Sequence, residues 1–279
     1  MSDFSQSNSK SSNTKRMEDL IDKAFNATDY YDRVDAIKEI DDQEVLRKVA
    51  ANDPDYYVRQ TATEKIEDQD VLMQIALNDS DYYVRVAAVK RISDAKILAH
   101  IVLKSQEDYY ICKDALAKIK DDDVLEKLID EISDRDIMKT AVEAIERQST
   151  LKKIAVGHED FYVRSDALKK IEDQQLLIEI ALNDEDYYVR ALALEKVLDP
   201  EIIVKVAFED QDYYVRNKAV AKIDDPAILA ELVKKDADFE VRKKAISKIH
   251  DRGLLEQLLI DVEDHYILRK IKNKLSELE

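Results

Sequence analysis

The chain has 279 residues, 45% of them hydrophobic, and a formal net charge of −17. That apolar content supports a substantial core and excludes a wholly disordered chain, while the acidic balance disfavours wholesale binding to nucleic-acid phosphates. A single cysteine, Cys112, excludes an intrachain disulfide, and two glycines and three prolines are few for a fold built on irregular loops or β-turns.

Residues 1–16, MSDFSQSNSKSSNTKR, lack the apolar centre of a secretory signal and read as a disordered tail. No uninterrupted apolar stretch of about 18 residues follows, so no transmembrane helix is expected and the cytoplasm is the expected compartment.

Residues 17–278 read as ten tandem copies of a unit of about 26 residues. The motif Asp-Tyr-Tyr-Val-Arg stands intact at Asp55–Arg59, Asp81–Arg85, Asp186–Arg190 and Asp212–Arg216. Variants begin at Asp29, Asp108, Asp160 and Asp238, and degenerate copies at Asp134 and Asp264. Successive motif aspartates are 26 residues apart, except for 27 between Asp81 and Asp108, and all 14 tyrosines lie in these motifs. Counting from the motif Asp as zero, apolar residues recur at positions 3, 7, 8 and 11, as in Val84, Ala88, Val89 and Ile92. That is one stripe of an α-helix, here called helix B. A second apolar cluster, as in Val71-Leu72 and Ile75-Ala76-Leu77, predicts a shorter helix A. Helices this short are marginal alone and must gain stability by stacking. The expected fold is all-α: a right-handed superhelical α-solenoid of paired helices.

Punctuation supports the parsing. Pro54 follows Asp53 at the expected start of a helix B, and Pro200 and Pro226 follow Asp199 and Asp225 at expected starts of helix A. Asn26, Asn52, Asn78, Gly157 and Asn183 share one register and are expected to close helix A in the left-handed conformation. Lys or Arg near the end of helix B, as at Lys65, Arg91, Lys196 and Lys222, complements the helix dipole.

An apolar short helix, then Asp, then Val-Arg and Ala on the next helix, resembles the HEAT-like repeat, best in Leu77–Arg85 and Leu182–Arg190. The short period is also similar to the leucine-rich variant repeat and to bilin-lyase-type HEAT-like repeats. In that family the Asp before Val-Arg and the Arg form a ladder between stacked repeats. By match, the resemblance implies Asp53/Arg59, Asp79/Arg85, Asp184/Arg190, Asp210/Arg216 and Asp236/Arg242. Where Arg gives way to Cys112, Met138 and Leu268, the same repeats carry Gln106, Ile132 and Val262 at the Asp position. A buried Arg without its carboxylate is costly, so the joint loss makes sense. Arg33 and Arg164 nevertheless persist opposite Ala27 and His158. Residues 105–150 therefore form an interior irregularity, where a change of superhelical curvature is expected.

The tyrosine pairs are the chief candidate site. The first Tyr (Tyr56, Tyr82, Tyr187, Tyr213) borders the apolar stripe and is expected to pack between repeats. The second (Tyr57, Tyr83, Tyr110, Tyr162, Tyr188, Tyr214) points nearly opposite and recurs about every 10 Å at ordinary helix spacing. On the concave side that helix B lines in HEAT-like solenoids, such a row suits a protein or peptide partner, which the acidic surface would favour being basic. HEAT-like deoxyhypusine hydroxylases hold iron with several His-Glu pairs, whereas only His158-Glu159 matches here. No metal or cofactor is therefore expected. Cys112 reads as a small core residue, and Asp121-Asp122-Asp123 as helix cap and solvated surface rather than a calcium loop. The expected function is a non-catalytic scaffold; the alternative is a HEAT-like enzyme or enzyme subunit, lyase-like or hydroxylase-like.

Overall fold

In the computed structural model, residues 3–278 are described, with side chains from Thr14 onward. The chain divides into two compact units, Met1–Glu146 and Arg147–Glu279. The first holds α1 (Asp3–Asn26), α2 (Tyr30–Glu39), α3 (Gln43–Asn52), α4 (Tyr56–Thr63), α5 (Gln69–Asn78), α6 (Tyr82–Arg91), α7 (Ala95–Lys104), α8 (Tyr109–Lys118), α9 (Asp122–Ile129) and α10 (Arg135–Ala144). The second holds α11 (Gln148–Gly157), α12 (Phe161–Lys169), α13 (Gln174–Asn183), α14 (Tyr187–Lys196), α15 (Pro200–Glu209), α16 (Tyr213–Lys222), α17 (Pro226–Lys235), α18 (Phe239–Lys248), α19 (Arg252–Asp261) and α20 (His265–Glu277). Odd-numbered helices are the A helices and even-numbered ones the B helices. Among the described residues the secondary structure is helical throughout, in the successive paired packing of an α-solenoid.

Each helix is short because an Asp restarts the chain every 13 residues. Asp29, Asp42, Asp55, Asp68, Asp81 and Asp94 are extended, and each accepts a hydrogen bond from a first-turn backbone N–H of α2 to α7. Each such cap stabilises its helix by roughly 1 kcal/mol. The same device opens the other helices from α8 to α20, except that Arg147 at α11 makes no side-chain cap hydrogen bond.

The core follows the apolar stripe. Val58, Ala62 and Ile66, and Val84, Ala88 and Ile92, are fully buried, as are Leu72 and Ala76 of the facing A helix. Within each unit the B helices pack on one another more extensively than the A helices do. In the first unit the A row closes up from α5 to α9, on either side of the α7–α8 corner that carries the extra residue.

Three local expectations change. The segment expected as a disordered tail is helical from Asp3, continuous with the first A helix; no Pro or Gly interrupts residues 3–26, and Arg16 pairs with Glu39 of α2. Met1 and Ser2 lie outside the described residues. Pro54 sits in the α3–α4 corner, not on the first turn of α4, because Asp55 is the cap and Asp53 takes the extended backbone favoured before proline. The helix-closing Asn and Gly residues are not left-handed: no described residue has a positive φ. Asn52, Asn78 and Asn183 instead donate from Nδ2 to the carbonyls of Lys48, Gln74 and Glu179, at 2.8, 2.9 and 3.0 Å.

Candidate functional site: the A–B corners and the tyrosine band

The corner between helix A and helix B gathers the motif residues. Arg33 donates from Nε and Nη2 to the two carboxylate oxygens of Asp53, at 2.8 and 3.0 Å. Asp53 also accepts from the N–H of Asp55 at 2.8 Å, and its carbonyl accepts from Arg59 Nη1 at 3.0 Å. Arg59 reaches the carboxylate of Asp79 in turn at 2.8 Å. In the second unit Arg164 binds Asp184, Arg190 binds Asp210 and Arg216 binds Asp236, each through Nε and Nη2.

The ladder partners therefore differ from the implied pairs. Asp53, Asp79, Asp184, Asp210 and Asp236 give their carboxylates to the Arg of the preceding repeat. To the Arg of their own repeat, Asp53, Asp79, Asp184 and Asp210 offer a backbone carbonyl. The reason is reach: the guanidinium bridges two corners, and only the next corner presents a carboxylate in the plane of its fork. Ala27 and His158 then cease to be exceptions, since any residue supplies a carbonyl; those of Ala27 and His158 accept from Arg33 and Arg164 at 2.9 Å. His158 Nδ1 further accepts the N–H of Asp160 at 3.0 Å, the task the Asp carboxylate performs elsewhere. Where the next carboxylate is missing, the fork turns: Arg85 uses Asp108 at 2.8 Å and Arg242 uses Asp264 at 2.9 Å, each through Nη2 alone.

Electrostatics follow this geometry. Burial opposes ionisation of Asp79, but hydrogen bonds from Arg59 and the Asp81 N–H, with the charges of Arg59 and Arg85, outweigh it and hold the carboxyl below its usual range. Hydrogen bonding to Asp79, Asp210 and Asp236 raises Arg59, Arg190 and Arg216 above the ordinary arginine value.

Two neighbouring devices lock the opposite, B–A corners. Lys222 Nζ donates to the carbonyls of Leu194, Glu195 and Val197 at 2.8, 2.9 and 2.6 Å, capping helix B of the preceding repeat. Lys65 and Lys118 do the same to Lys38 and Lys90. The dipole pairing expected of these residues thus acts between repeats. Gln43 clamps the next corner, donating to Lys65 O at 3.2 Å and accepting from Glu67 N–H at 3.0 Å; Gln174 repeats this on Lys196 and Leu198. Sequence reasoning missed this clamp, whose signal is the recurrent Asp-Gln at 42–43, 68–69 and 173–174.

The tyrosines occupy the first two positions of helix B. Of the second-position residues, Tyr83 is 60% exposed, Tyr110 66% and Tyr57 40%; Tyr162 and Tyr188 are exposed and Tyr214 half-buried. The first-position residues Tyr56, Tyr82, Tyr187 and Tyr213 are all exposed, and Tyr56 and Tyr187 pack between repeats as expected. This packing lies at the surface. Ring centroids lie 6.4 Å apart for Tyr30–Tyr57, 6.1 Å for Tyr56–Tyr83 and 5.9 Å for Tyr187–Tyr214. The two rings of a pair also touch, at 5.6 Å for Tyr82–Tyr83 and 5.7 Å for Tyr109–Tyr110. Tyr30 is pushed up to about 12 by its hydrogen bond with Tyr31, then by burial and by the charges of Asp55 and Asp29. Tyr82 is raised by burial and by Asp114 and Asp108.

Cys112 is fully buried, its thiol 3.1 Å from Ser105 O in the place of the arginine, and burial pushes it up to about 12. Asp121 caps α9, whereas Asp122 is buried and accepts from Glu146 N–H at 3.4 Å. Among the described residues no cluster of three His, Cys, Asp or Glu side chains could hold a metal ion, and no helix is long and apolar enough to cross a membrane. Concavities open between A helices: one of about 440 Å³ between α3 and α5 is lined by Arg47, Ala50, Val71, Gln74 and Ile75, and another lies between α7 and α9.

No family model matches the chain. No curated protein matches it either. Among solved structures, that of YIBA_ECOLI is 16% identical, with 93% of this chain and 92% of that one covered and a TM-score of 0.24. An engineered protein is 20% identical, covering 94% and 96%, with a TM-score of 0.17. A protein from the computational design of self-assembling cyclic homooligomers is 17% identical, covering 96% and 90%, with a TM-score of 0.13. Likenesses at this level carry no argument about activity, and the repeat architecture rests on the helices themselves.

Proposed function

We propose that this chain is a non-catalytic, cytoplasmic scaffold of the HEAT-like kind that grips a protein segment on the tyrosine-bearing ends of its B helices. The carrying observation is the exposure of second-position tyrosines in consecutive B helices, Tyr57, Tyr83 and Tyr110 in one unit and Tyr162 and Tyr188 in the other. Exposed aromatic rings in a row are a rigid, amphipathic contact surface that loses little side-chain entropy on binding. Repeat stacking needs only the buried stripe, so the rings outside it are available for a partner. The surface is acidic, which suits a basic partner rather than nucleic acid.

The test is affinity capture from native lysate, with the parent and a variant carrying Tyr57→Ser, Tyr83→Ser, Tyr188→Ser and Tyr214→Ser as baits. A protein retained by the parent and lost by a still-helical variant supports the reading; equal capture by both moves the binding face elsewhere. The second reading, a HEAT-like enzyme or enzyme subunit, draws on the groove between α3 and α5, where apolar Ala50, Val71 and Ile75 stand beside polar Arg47 and Gln74. Specific retention of a small molecule, abolished by Val71→Arg, would favour it.

A further inference from the structure

We propose that the tyrosine band of the first unit binds a basic, extended protein segment carrying a cationic side chain at about every third residue; this rests on the scaffold reading above. Three observations support it.

First, the chain itself shows how the band holds a cation. In the second unit, Lys218 Nζ lies 5.5 Å from the centre of the Tyr214 ring and 2.6 Å from Glu195 Oε1 of the preceding repeat. The aromatic face and the carboxylate together hold one ammonium, the geometry expected of a cation–π contact reinforced by an ion pair. In the first unit the positions equivalent to Lys218 are Asp35, Thr61, Ala87 and Asp114. The rings are there without a lysine at that position; the Glu195 position is held by Lys38, Glu64 and Lys90, and Lys38, beside Tyr57, is engaged by Asp35 at 3.0 Å.

Second, charge complements the proposed ligand. Residues 1–146 carry 33 Asp and Glu against 21 Lys and Arg, so most of the chain's excess negative charge lies in this unit. Asp55 and Asp29 bear on Tyr30, and Asp108 and Asp114 on Tyr82, which places carboxylates beside the band.

Third, the spacing sets the period. Packed helices lie about 8–10 Å apart. A polyproline II segment rises about 3.1 Å per residue with three residues per turn, so every third side chain returns to one face after about 9 Å. One cation per B helix then falls in register with Tyr31, Tyr57, Tyr83 and Tyr110, all exposed.

The test uses the full-length protein and two synthetic peptides of identical composition: four Arg-Ser-Pro triplets, and an isomer with the four arginines contiguous. Binding is read by fluorescence anisotropy at near-physiological salt. The triplet peptide is expected to bind at least about tenfold more tightly than its isomer, and to lose at least about tenfold in affinity for a Tyr57→Leu/Tyr83→Leu variant of matching helicity. Equal affinity of the two isomers for the parent protein overturns the register argument without recourse to any variant. Undiminished binding by a folded variant overturns the role of the rings. Should neither peptide bind while capture from lysate stays tyrosine-dependent, the basic ligand is wrong and the scaffold reading stands. Should capture also be insensitive to the tyrosines, both fail.

Discussion

Within the first unit, residues 27–104 and 105–146 share a helix length, a capping residue and an apolar stripe, yet their A–B corners are held differently. In the former, Arg33 and Arg59 each bridge two corners through a carboxylate that is nearly buried. In the latter, Cys112 replaces the arginine, Ile132 replaces the next carboxylate, and Gln106 Oε1 accepts from the N–H groups of Ser133 and Asp134 at 2.9 and 3.2 Å. Neutral groups satisfy the same backbone there. Stacking therefore does not require the ion-pair ladder, in keeping with the small or unfavourable net contribution of buried pairs relative to apolar replacements. What the ladder supplies is direction: each fork accepts one carboxylate, in one plane, from one neighbour.

The sharpest way to break this comparison is to put half a rung where none exists. Cys112→Arg places a guanidinium against the Ser105 carbonyl with Ile132 at the ladder position, leaving Asp134 to serve it as Asp264 serves Arg242. The expected cost is about 4 kcal/mol, from overpacking and from a buried guanidinium paired through one Nη only. Adding Ile132→Asp should recover at least about 1 kcal/mol by double-mutant cycle. The measurement is hydrogen exchange of α8–α10, since stability in a repeat array is local. Identical loss in the single and double variants would mean that the two absences are unrelated.

The converse removes half a rung where one exists. Asp210→Ala leaves Arg190, 3% exposed, without its carboxylate and the Asp212 N–H without its acceptor. A local loss of about 3–4 kcal/mol in α14–α16 is expected, and Arg190→Met in the same chain should restore a good part of it. A loss below about 1 kcal/mol would show that the guanidinium turns to Asp212, as Arg242 turns to Asp264.

Much of this was legible beforehand. The 26-residue register, the all-helical class and the buried positions follow from the motif and its stripe, because a short helix has only one way to hide Val84, Ala88 and Ile92. The ladder residues were legible but their pairing was not: sequence puts Asp79 and Arg85 six residues apart, while the carboxylate lies nearer the guanidinium of Arg59, 20 residues away. The left-handed helix ends failed for another reason. An extended Asp closes α3 and α5 without any φ reversal, leaving Asn52 and Asn78 to bond within their own helix. A 13-residue Asp rhythm, broken at Arg147 and by the 14-residue step from Asp94 to Asp108, lies inside the 26-residue repeat and is concealed by it. For the tyrosines, a helical projection separates the two rings of a pair, yet at a helix N-terminus both reach the surface.

Acid offers a gentler probe of the same contrast. Asp79 is held below its usual range by the Arg59 hydrogen bond, the Asp81 N–H and nearby positive charge, all outweighing its burial. Its unfolded form takes up a proton near pH 3.9 while the folded form resists, so its stabilisation is complete above that pH and is lost as pH falls through the folded value. At the equivalent corner of the ladderless stretch stands Ile132, which does not titrate. Between pH 5 and pH 3, α4–α6 should lose more exchange protection than α9–α10, the Asp caps common to both stretches cancelling. Equal losses would assign the acid response to the caps.

The smallest expected effect is one that should not differ between regions. The lysine that caps the preceding helix B is present with and without the ladder: Lys222 on Leu194, Glu195 and Val197 among the laddered repeats of the second unit, and Lys118 on Lys90 at 2.5 Å in the ladderless stretch. Burial lowers Lys222 from its ordinary value, so its ammonium is partly desolvated and its carbonyl contacts replace water. Lys222→Met and Lys118→Met should each cost about 1 kcal/mol, a charge-assisted bond offset by retained packing of the stem. Similar costs would mean that the B–A corners are built alike in each unit, with only the A–B corners divided into laddered and ladderless runs. A much larger cost at Lys118 would mean that the stretch without arginine rungs leans on its lysines, and the two corner types would then be coupled rather than independent.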